Sequence, residues 1–562
     1  MRSSSKSIFV SILIVITLLG MSLSAIPVNQ NKELEKEETK FFSHTNVNFE
    51  GYQEDSVYSY STLTSGGYTQ CIITEDQRVV CWGSNDQGKR GLGGGTDNAS
   101  LTPQGKAGPW LVGNLSAGMV EVSTGGWSTC SLKETGEIWC WGGGQYGQLG
   151  TGSDACQGYP GAEACTGATN HPPVEVSLPV NRTAVSLSDA NQGHFCAILD
   201  NGDGICWGWN NQGQLGDGTV CTGGNYWYDA SNPTPAGCNP NNGRYTPAVI
   251  DDSNFPVDSS FISISTGFHH SCGIIDNNDL YCWGQNNNGQ LGIGLAGNNN
   301  YPTPQFVDSN VIAVGTGDQH SCALYMNQNV KCWGANNNGQ LGSGNNYLYS
   351  SPSLINLSTN IRLISLETAY NSACVISEDF VPYCWGSNSF SQLGNEGTDN
   401  SQENPLLFWN PDYDFEDNTT TAMSINGEMV CQIIGQSSDN STHNHRDLFC
   451  NGQAWRGQVG DGSWNQTWSD WNYNFVNLSS DNVGPLSYQG AGGVHIPERD
   501  IDNDSTIGIL DNLPNGCPDG SYDSNYDGSC VPADAGYFST NIMYNEQLPC
   551  DLGTYQPNSG QS

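Results

Sequence analysis

The stretch HSCGIIDNNDLYCWGQNNNGQLGIG, His270 to Gly294, decides the fold, because its near-copy HSCALYMNQNVKCWGANNNGQLGSG follows at His320 to Gly344. Each copy holds a cysteine, nine residues, a Cys-Trp-Gly and then a Gly-Gln-Leu-Gly run. Four more copies begin at Cys71, Cys130, Cys196 and Cys374, each with its partner ten positions later. A seventh is degenerate: Cys431 and Cys450 stand 19 apart, and Asn451 takes the place of Trp. Steps between the tryptophans Trp82, Trp141, Trp207, Trp283, Trp333 and Trp385 are 59, 66, 76, 50 and 52 residues. The unit is therefore about 50 residues with insertions, the mark of a repeat architecture.

Within a unit, SFISIST or NVIAVGT precedes a glycine, and short runs such as HSCALYM and VKCWGAN flank a polar turn. Short alternating strands between Gly and Asn turns predict antiparallel sheet. Cysteines straddling a turn such as Asp276 to Asp279 fall opposite each other on a hairpin. The predicted disulfides are Cys71–Cys81, Cys130–Cys140, Cys196–Cys206, Cys272–Cys282, Cys322–Cys332, Cys374–Cys384 and Cys431–Cys450. A zinc site needs two pairs on one metal, whereas this spacing isolates each pair in its own unit. The tryptophan supplies large buried area, and the Gly-Gln-Leu-Gly glycines are expected to turn the chain from one blade to the next.

Composition agrees with this reading. The 562 residues include 70 Gly, and 17 Lys plus Arg stand against 56 Asp plus Glu, a net charge of -39. Glycine at that density disfavours a helical bundle, and so acidic a chain repels phosphate backbones, which excludes nucleic acid as a partner.

These residues resemble the repeats of the regulator of chromosome condensation family, also called alpha-tubulin suppressor-like repeats, from about Val57 to Asn477. The resemblance implies an all-β, seven-bladed propeller closed by strands from both ends of the repeat region. The cysteine pairs resemble secreted, disulfide-bearing variants of the repeat. The founding member's guanine-nucleotide exchange on a chromatin-bound GTPase fits neither an exported nor an acidic chain, and cytoskeletal regulation by the same analogy requires a cytoplasmic location. Repeats 1 (GKRGLGGG) and 7 (RGQVGDG) depart from the pattern.

Arg2 and Lys6 precede an apolar run from Ile8 to Leu19, with Ser22 and Ser24 at cleavage-site positions. That is the layout of a secretory signal peptide over 1–25, an uncleaved anchor being the alternative. A charged linker follows over 26–55, then the propeller over 56–485. Nine Asn-x-Ser/Thr sequons, among them Asn114, Asn181, Asn356 and Asn477, are compatible with an exported surface.

His194, His270 and His320 each stand two residues before a first cysteine, where the other units have Ser, Thr or Met. Such recurrence reads as a structural histidine hydrogen-bonded between blades rather than a catalytic one. No nucleophile motif or phosphate loop is present. Repeats 2 and 3 carry insertions with further predicted pairs, Cys156–Cys165 and Cys221–Cys238. Tyr226, Trp227 and Tyr228 in the second of these are the candidate ligand anchors, packing under their own loop being the alternative. The repeat 7 tail adds Trp464, Trp468 and Trp471, expected to pack under their own loop or over the closing blade, ligand contact being the alternative.

Asp500, Asp502, Asp504 and Asp511 in ERDIDNDSTIGILDN resemble one degenerate thrombospondin type 3 calcium motif over 486–512. Alternating carboxylates suit Ca²⁺, a solvated acidic linker being the alternative. Cys517, Cys530 and Cys550 over 513–562 resemble an extracellular cysteine-rich module, whose odd cysteine count fits a truncated chain, a free thiol or an intermolecular bridge. The sequence thus suggests a secreted or surface-displayed, non-enzymatic binding or adhesion propeller for extracellular protein or glycan ligands. An extracellular carbohydrate-active enzyme working in the central channel is the alternative; a channel lined by Gly, Asn and Ser argues against it.

Overall fold

A computed structural model describes residues 63–453, leaving out 92–108, 153–170, 222–236, 409–417, 437–446 and a few shorter breaks; beyond these it describes 474–475 and four short strands between 521 and 549. Seven four-stranded antiparallel sheets follow one another along the chain, spanning 63–111, 119–175, 184–249, 261–308, 311–354, 363–407 and 418–475. They are the blades of a seven-bladed β-propeller, numbered here 1 to 7.

Blade 4 shows how the repeat becomes a sheet. Its strands Phe261–Thr266, His270–Ile275, Leu280–Gln285 and Asn300–Asp308 pair in sequence order. Asn278 adopts a left-handed conformation (φ 65°) in the turn between the second and third strands, which asparagine tolerates better than most residues. Cys272 faces Cys282 across that hairpin. Six such pairs, at Cys71, Cys130, Cys196, Cys272, Cys322 and Cys374, are disulfide-bonded with Cα atoms 4.0–4.1 Å apart, and Cys431–Cys450 matches them at 4.0 Å. The longer spacing of the seventh pair is absorbed by a longer hairpin: Met429–Gln436 pairs directly with Asp447–Gly452.

The core is not one mass. It divides into seven apolar clusters, one in each space between neighbouring blades. The ring closes where Leu63, Ile72, Val80 and Trp82 of blade 1 pack on Met429, Ile433 and Leu448 of blade 7. Among the described residues every four-stranded set is one continuous chain segment, so the expected closure by strands from both ends is replaced by side-chain packing. Among the described residues the one shared strand is Asp189–Ala190, which runs parallel to the inner strand of blade 4.

The Gly-Gln-Leu-Gly run does not join blades, as the sequence led us to expect. It lies between the third and fourth strands of one sheet and holds the next blade by a hydrogen bond. Trp207, Trp283, Trp333 and Trp385 donate their indole N–H to the main-chain carbonyls of Gln148, Gln214, Gln290 and Gln340 of the preceding blade, at 2.8, 2.9, 2.9 and 2.9 Å. Trp141 does the same to Lys89 in the divergent first run, at 2.6 Å. Because the acceptor is main chain, Lys can stand where the other repeats have Gln. Asn451 also keeps the latch: its side-chain N–H donates to Ser391 O at 2.9 Å.

The glycine closing each run is required by the same contact. At Gly292 (φ +74°) a Cβ would lie 2.7 Å from Trp333 Nε1, and Gly91, Gly150, Gly216 and Gly342 face Trp141, Trp207, Trp283 and Trp385 in the same way. Gly292→Ala should therefore cost about 3 kcal/mol, combining left-handed strain with overpacking; a urea midpoint unchanged from wild type would contradict the latch.

Beyond the propeller, Ser521–Asp523 pairs with Cys530–Pro532 and Tyr537–Phe538 with Leu548–Pro549. The signal-peptide and linker segments, Asn114, Asn477, Cys156, Cys165, Cys517, Cys550 and Trp464, Trp468 and Trp471 lie outside the described residues.

Candidate functional site at the channel mouth

Inner strands of successive blades lie side by side around the axis. They bring Thr64–Gly66, Val122–Thr124, Ile264–Thr266, Val314–Thr316, Leu366–Thr368 and Met423–Ile425 to the channel, a wall rich in Ser, Thr and Gly that also carries Glu367 of blade 6 in the register of Ser265 and Gly315. Ser265 and Thr316 of adjacent blades share a hydrogen bond of 2.9 Å between hydroxyls.

The repeated histidines do not reach that channel. His194 Nε2 pairs with Ser271 Oγ of the next blade at 2.8 Å, and His270 Nε2 with Ser321 Oγ at 2.8 Å. Those hydroxyls donate onward to Gln214 O and Gln290 O, each at 2.9 Å. His320 has no such partner, because Ala373 takes the serine's place in blade 6. All three rings are fully buried. Burial holds His194 and His270 down to about 3 and His320 to about 4, so they are neutral at ordinary pH. The structural role read from their recurrence is the arrangement found.

Antiparallel register sets which loops share a face. His270 pairs with Gly284, so the turn before the second strand and the connection after the third leave a blade at the same end. That face therefore carries the insertions of repeats 2 and 3. The repeat 3 insertion is rooted by the Cys221–Cys238 disulfide, with Cα atoms 5.5 Å apart. Arg244 Nε lies 2.6 Å from Asp217 Oδ2 beside this root. Tyr226, Trp227 and Tyr228 lie outside the described residues.

What sequence reasoning missed lies next to those roots. Trp127 of blade 2, Trp209 of blade 3 and Phe268 of blade 4 meet in a continuous cluster with Tyr146 and His269. Trp209 stacks on Tyr146 with centroids 5.1 Å apart. It meets Trp127 edge-on at 5.8 Å, Phe268 at 5.7 Å and His269 at 4.6 Å. All five rings are half-buried, an interlocked arrangement that fixes their rotamers. Burial lowers His269 to about 4, so the cluster is uncharged near neutrality. A signal was available: Trp127 and His269 share one register, three residues before the first cysteine of their units, and Trp209 directly follows a Cys-Trp-Gly.

Beside the cluster, the turns converge on the axis. Tyr370 of blade 6 is hydrogen-bonded to the side chain of Gln192, on blade 3 across the mouth, and lies near Asp318, Tyr68 and Glu428 of blades 5, 1 and 7. Asp318 Oδ1 is buried without a hydrogen-bond partner, and burial raises this carboxyl to about 7. Burial and the nearby Asp318 charge raise the Tyr370 phenol. Tyr370 thus caps the channel at the end where the aromatic cluster opens.

Among the described residues no group of three or more His, Cys, Asp or Glu side chains could hold a metal ion. Asp500, Asp502, Asp504 and Asp511 are outside the described residues.

Fold and face together define a disulfide-braced propeller with a rigid aromatic patch around a capped channel mouth. The chain belongs to the RCC1-like domain family, whose model matches residues 46–425. It is 28% identical over 275 residues to the ultraviolet-B receptor UVR8 of Arabidopsis thaliana, covering 42% of this chain and 56% of that protein. It is also 29% identical over 159 residues to the E3 ubiquitin-protein ligase HERC2 of Homo sapiens, covering 28% of this chain and 3% of the ligase. The chain thus spans little more than half of the first relative and a small part of the second. Among solved structures, human WBSCR16 matches with TM-score 0.54 at 18% identity, covering 71% of this chain and 94% of that one. Yeast RCC1 (Prp20), solved bound to Kap60, matches with TM-score 0.55 at 17% identity, covering 77% and 91%. At such identity these structures share the fold.

Proposed function

We propose that this chain is a secreted or surface-displayed, non-enzymatic recognition propeller, with its ligand-binding surface on the face of the channel mouth. The observation that carries the reading is the half-buried ring cluster Trp127–Tyr146–Trp209–Phe268–His269, on the face that also bears the root of the repeat 3 insertion at Cys221–Cys238. Pre-ordered aromatics give contact area at little entropic cost, the property of binding hot spots. An apolar patch on so acidic a chain also needs a reason beyond solubility. Yeast RCC1, solved bound to Kap60, is a propeller of this fold in complex with a protein.

Support for a non-catalytic role comes from the channel. Its inner strands are rich in Ser, Thr and Gly with Glu367 among them, its mouth is capped by Tyr370, and His194 and His270 are committed to blade contacts rather than brought beside that carboxylate. Support for export comes from the signal-peptide pattern and from seven hairpin disulfides, a density foreign to reducing compartments. Those two features, with the net charge of -39, also weigh against nucleotide exchange beside chromatin.

The test is binding of the oxidised full chain to envelope extracts, comparing wild type with the Trp127→Ala/Phe268→Ala double variant and with Phe306→Ala, a 52% exposed ring on an outer strand. Loss of at least tenfold in affinity for the double variant alone is the expected result. Equal binding by all three folded proteins would place the site elsewhere.

A further inference from the structure

Resting on that reading of the face, we propose that its ligand is an uncharged glycan, with sugar rings stacked on the aromatic cluster and hydroxyls held by side-chain amides at its edge. Among the described residues, the turns around the aromatic cluster differ in charge from those at the other end of the same blades. At the far end, the turns between second and third strands carry Glu134 and Glu137, Asp200 and Asp203, Asp276 and Asp279, and Glu378 and Asp379. At the mouth, the turns of blades 1 to 4 read Gly66–Gly67–Tyr68, Gly125–Gly126–Trp127, Gln192–Gly193 and Gly267–Phe268–His269, with no carboxylate among them, whereas the turns of blades 5 and 7 carry Asp318 and Glu428. In a chain of net charge -39, the turns around the aromatic cluster of blades 2 to 4 form a neutral window.

Among the described residues, the cations nearest the cluster, Lys89 and Arg244, are already engaged. Lys89 is buried and its ammonium donates to the carbonyls of Gly67 and Gly126. Arg244 is ion-paired with Asp217. An anionic polysaccharide or a phosphorylated ligand would meet the negative field of the whole chain without a compensating partner. A cationic ligand would be drawn to the acidic far end instead. An uncharged ligand is the class for which this window carries no electrostatic penalty.

The chemistry of the window fits sugar rather than a purely apolar partner. Stacking on Trp and Tyr faces suits the C–H faces of pyranose rings, while hydroxyls need planar donor–acceptor groups beside them. Such a group stands at the edge next to blade 4: Asn288 Nδ2 donates to Gln319 Oε1 at 2.8 Å in an exposed pair. An exposed amide pair offers both the donors and the acceptor that vicinal hydroxyls can use.

The test is affinity electrophoresis of the oxidised full chain in gels containing a neutral β-glucan, a mannan, a polygalacturonate or a chitosan. Wild type, Trp127→Ala/Phe268→Ala, Trp127→Phe and Gln319→Ala are run together, with circular dichroism confirming the fold of each. We expect retardation by a neutral polymer only, at least tenfold weaker binding in the double variant, partial retention by Trp127→Phe, and several-fold weakening by Gln319→Ala. Retardation by the charged polymers alone would overturn the proposal. So would the absence of glycan binding alongside capture of an envelope protein that the double variant loses, a result that leaves the face reading standing. Neutral-glycan binding untouched by every variant would overturn both.

Discussion

Reduction of its disulfides should abolish the folded propeller: unfolded in urea with dithiothreitol and then diluted without oxidant, the chain should not regain its native near-ultraviolet dichroism. Six hairpin disulfides close ten-residue spans and a seventh closes 19. By loop-closure entropy, spans of this size contribute roughly 2–3 kcal/mol each. Seven together exceed the ~5–15 kcal/mol net stability of an ordinary domain. All seven lie in the spaces between blades, where the sulfurs are part of the apolar clusters, so reduction also loosens packing. Full recovery of the native signal with all thiols alkylated would contradict this.

Acidification should be the second large effect. His194, His270 and His320 are held in the fold at about 3, 3 and 4 against an unfolded value near 6.5. The unfolded chain therefore binds protons that the propeller excludes. The stability their neutral burial provides is whole above pH 6.5 and is lost progressively as pH falls toward 4. At pH 5 each ring accounts for about 2 kcal/mol, or about 6 kcal/mol for the three. Asp318 works in the opposite direction: raised to about 7, its carboxyl takes a proton more readily in the fold, returning about 2–3 kcal/mol over the same interval. His269, lowered to about 4 by burial, adds about 2 kcal/mol in the same sense as the other histidines, so a net loss of about 5 kcal/mol between pH 7 and pH 5 should appear as a lower urea midpoint. His270→Asn should flatten that dependence and Asp318→Asn should steepen it. A midpoint equal at both pH values would refute the neutral buried histidines.

Much of this architecture was legible because the repeat encodes it locally. Cys-x9-Cys spans one hairpin, and its even spacing places both sulfurs on one side of the paired strands. The Trp after it is apolar in an otherwise small-residue unit. The histidine position was legible for the same reason, recurring in register at His194, His270 and His320. The latch between blades was not, since its acceptors are main-chain carbonyls and a carbonyl leaves no trace in side-chain identity. Lys89 in the place of Gln shows as much. The divergent GKRG run also puts Arg90 where Leu149, Leu215, Leu291 and Leu341 are buried, and burial lowers its guanidinium to about 10.

The candidate face was harder to see because its residues come from different blades. Trp127, Trp209 and Phe268 are 82 and 59 residues apart in succession, and no local pattern announces that they touch. The insertion aromatics Tyr226, Trp227 and Tyr228 drew the eye as a run. The structure adds that their loop is rooted on the face where the dispersed rings meet. The turn glycines mattered for a similar non-local reason: the built Cβ of Gly317 would lie 2.1 Å from His320 Cε1, so the turn around the axis can be that tight only with glycine there.

Hydroxyl-radical footprinting of the oxidised full chain, with and without envelope extract, tests most directly whether the channel mouth is the recognition face. The expected result is protection of Trp127, Tyr146, Trp209 and Phe268 by the extract, with Phe306 on the outer strand oxidised equally in both. Protection confined to the outer strands or to the acidic turns, with the mouth aromatics unchanged, would contradict it.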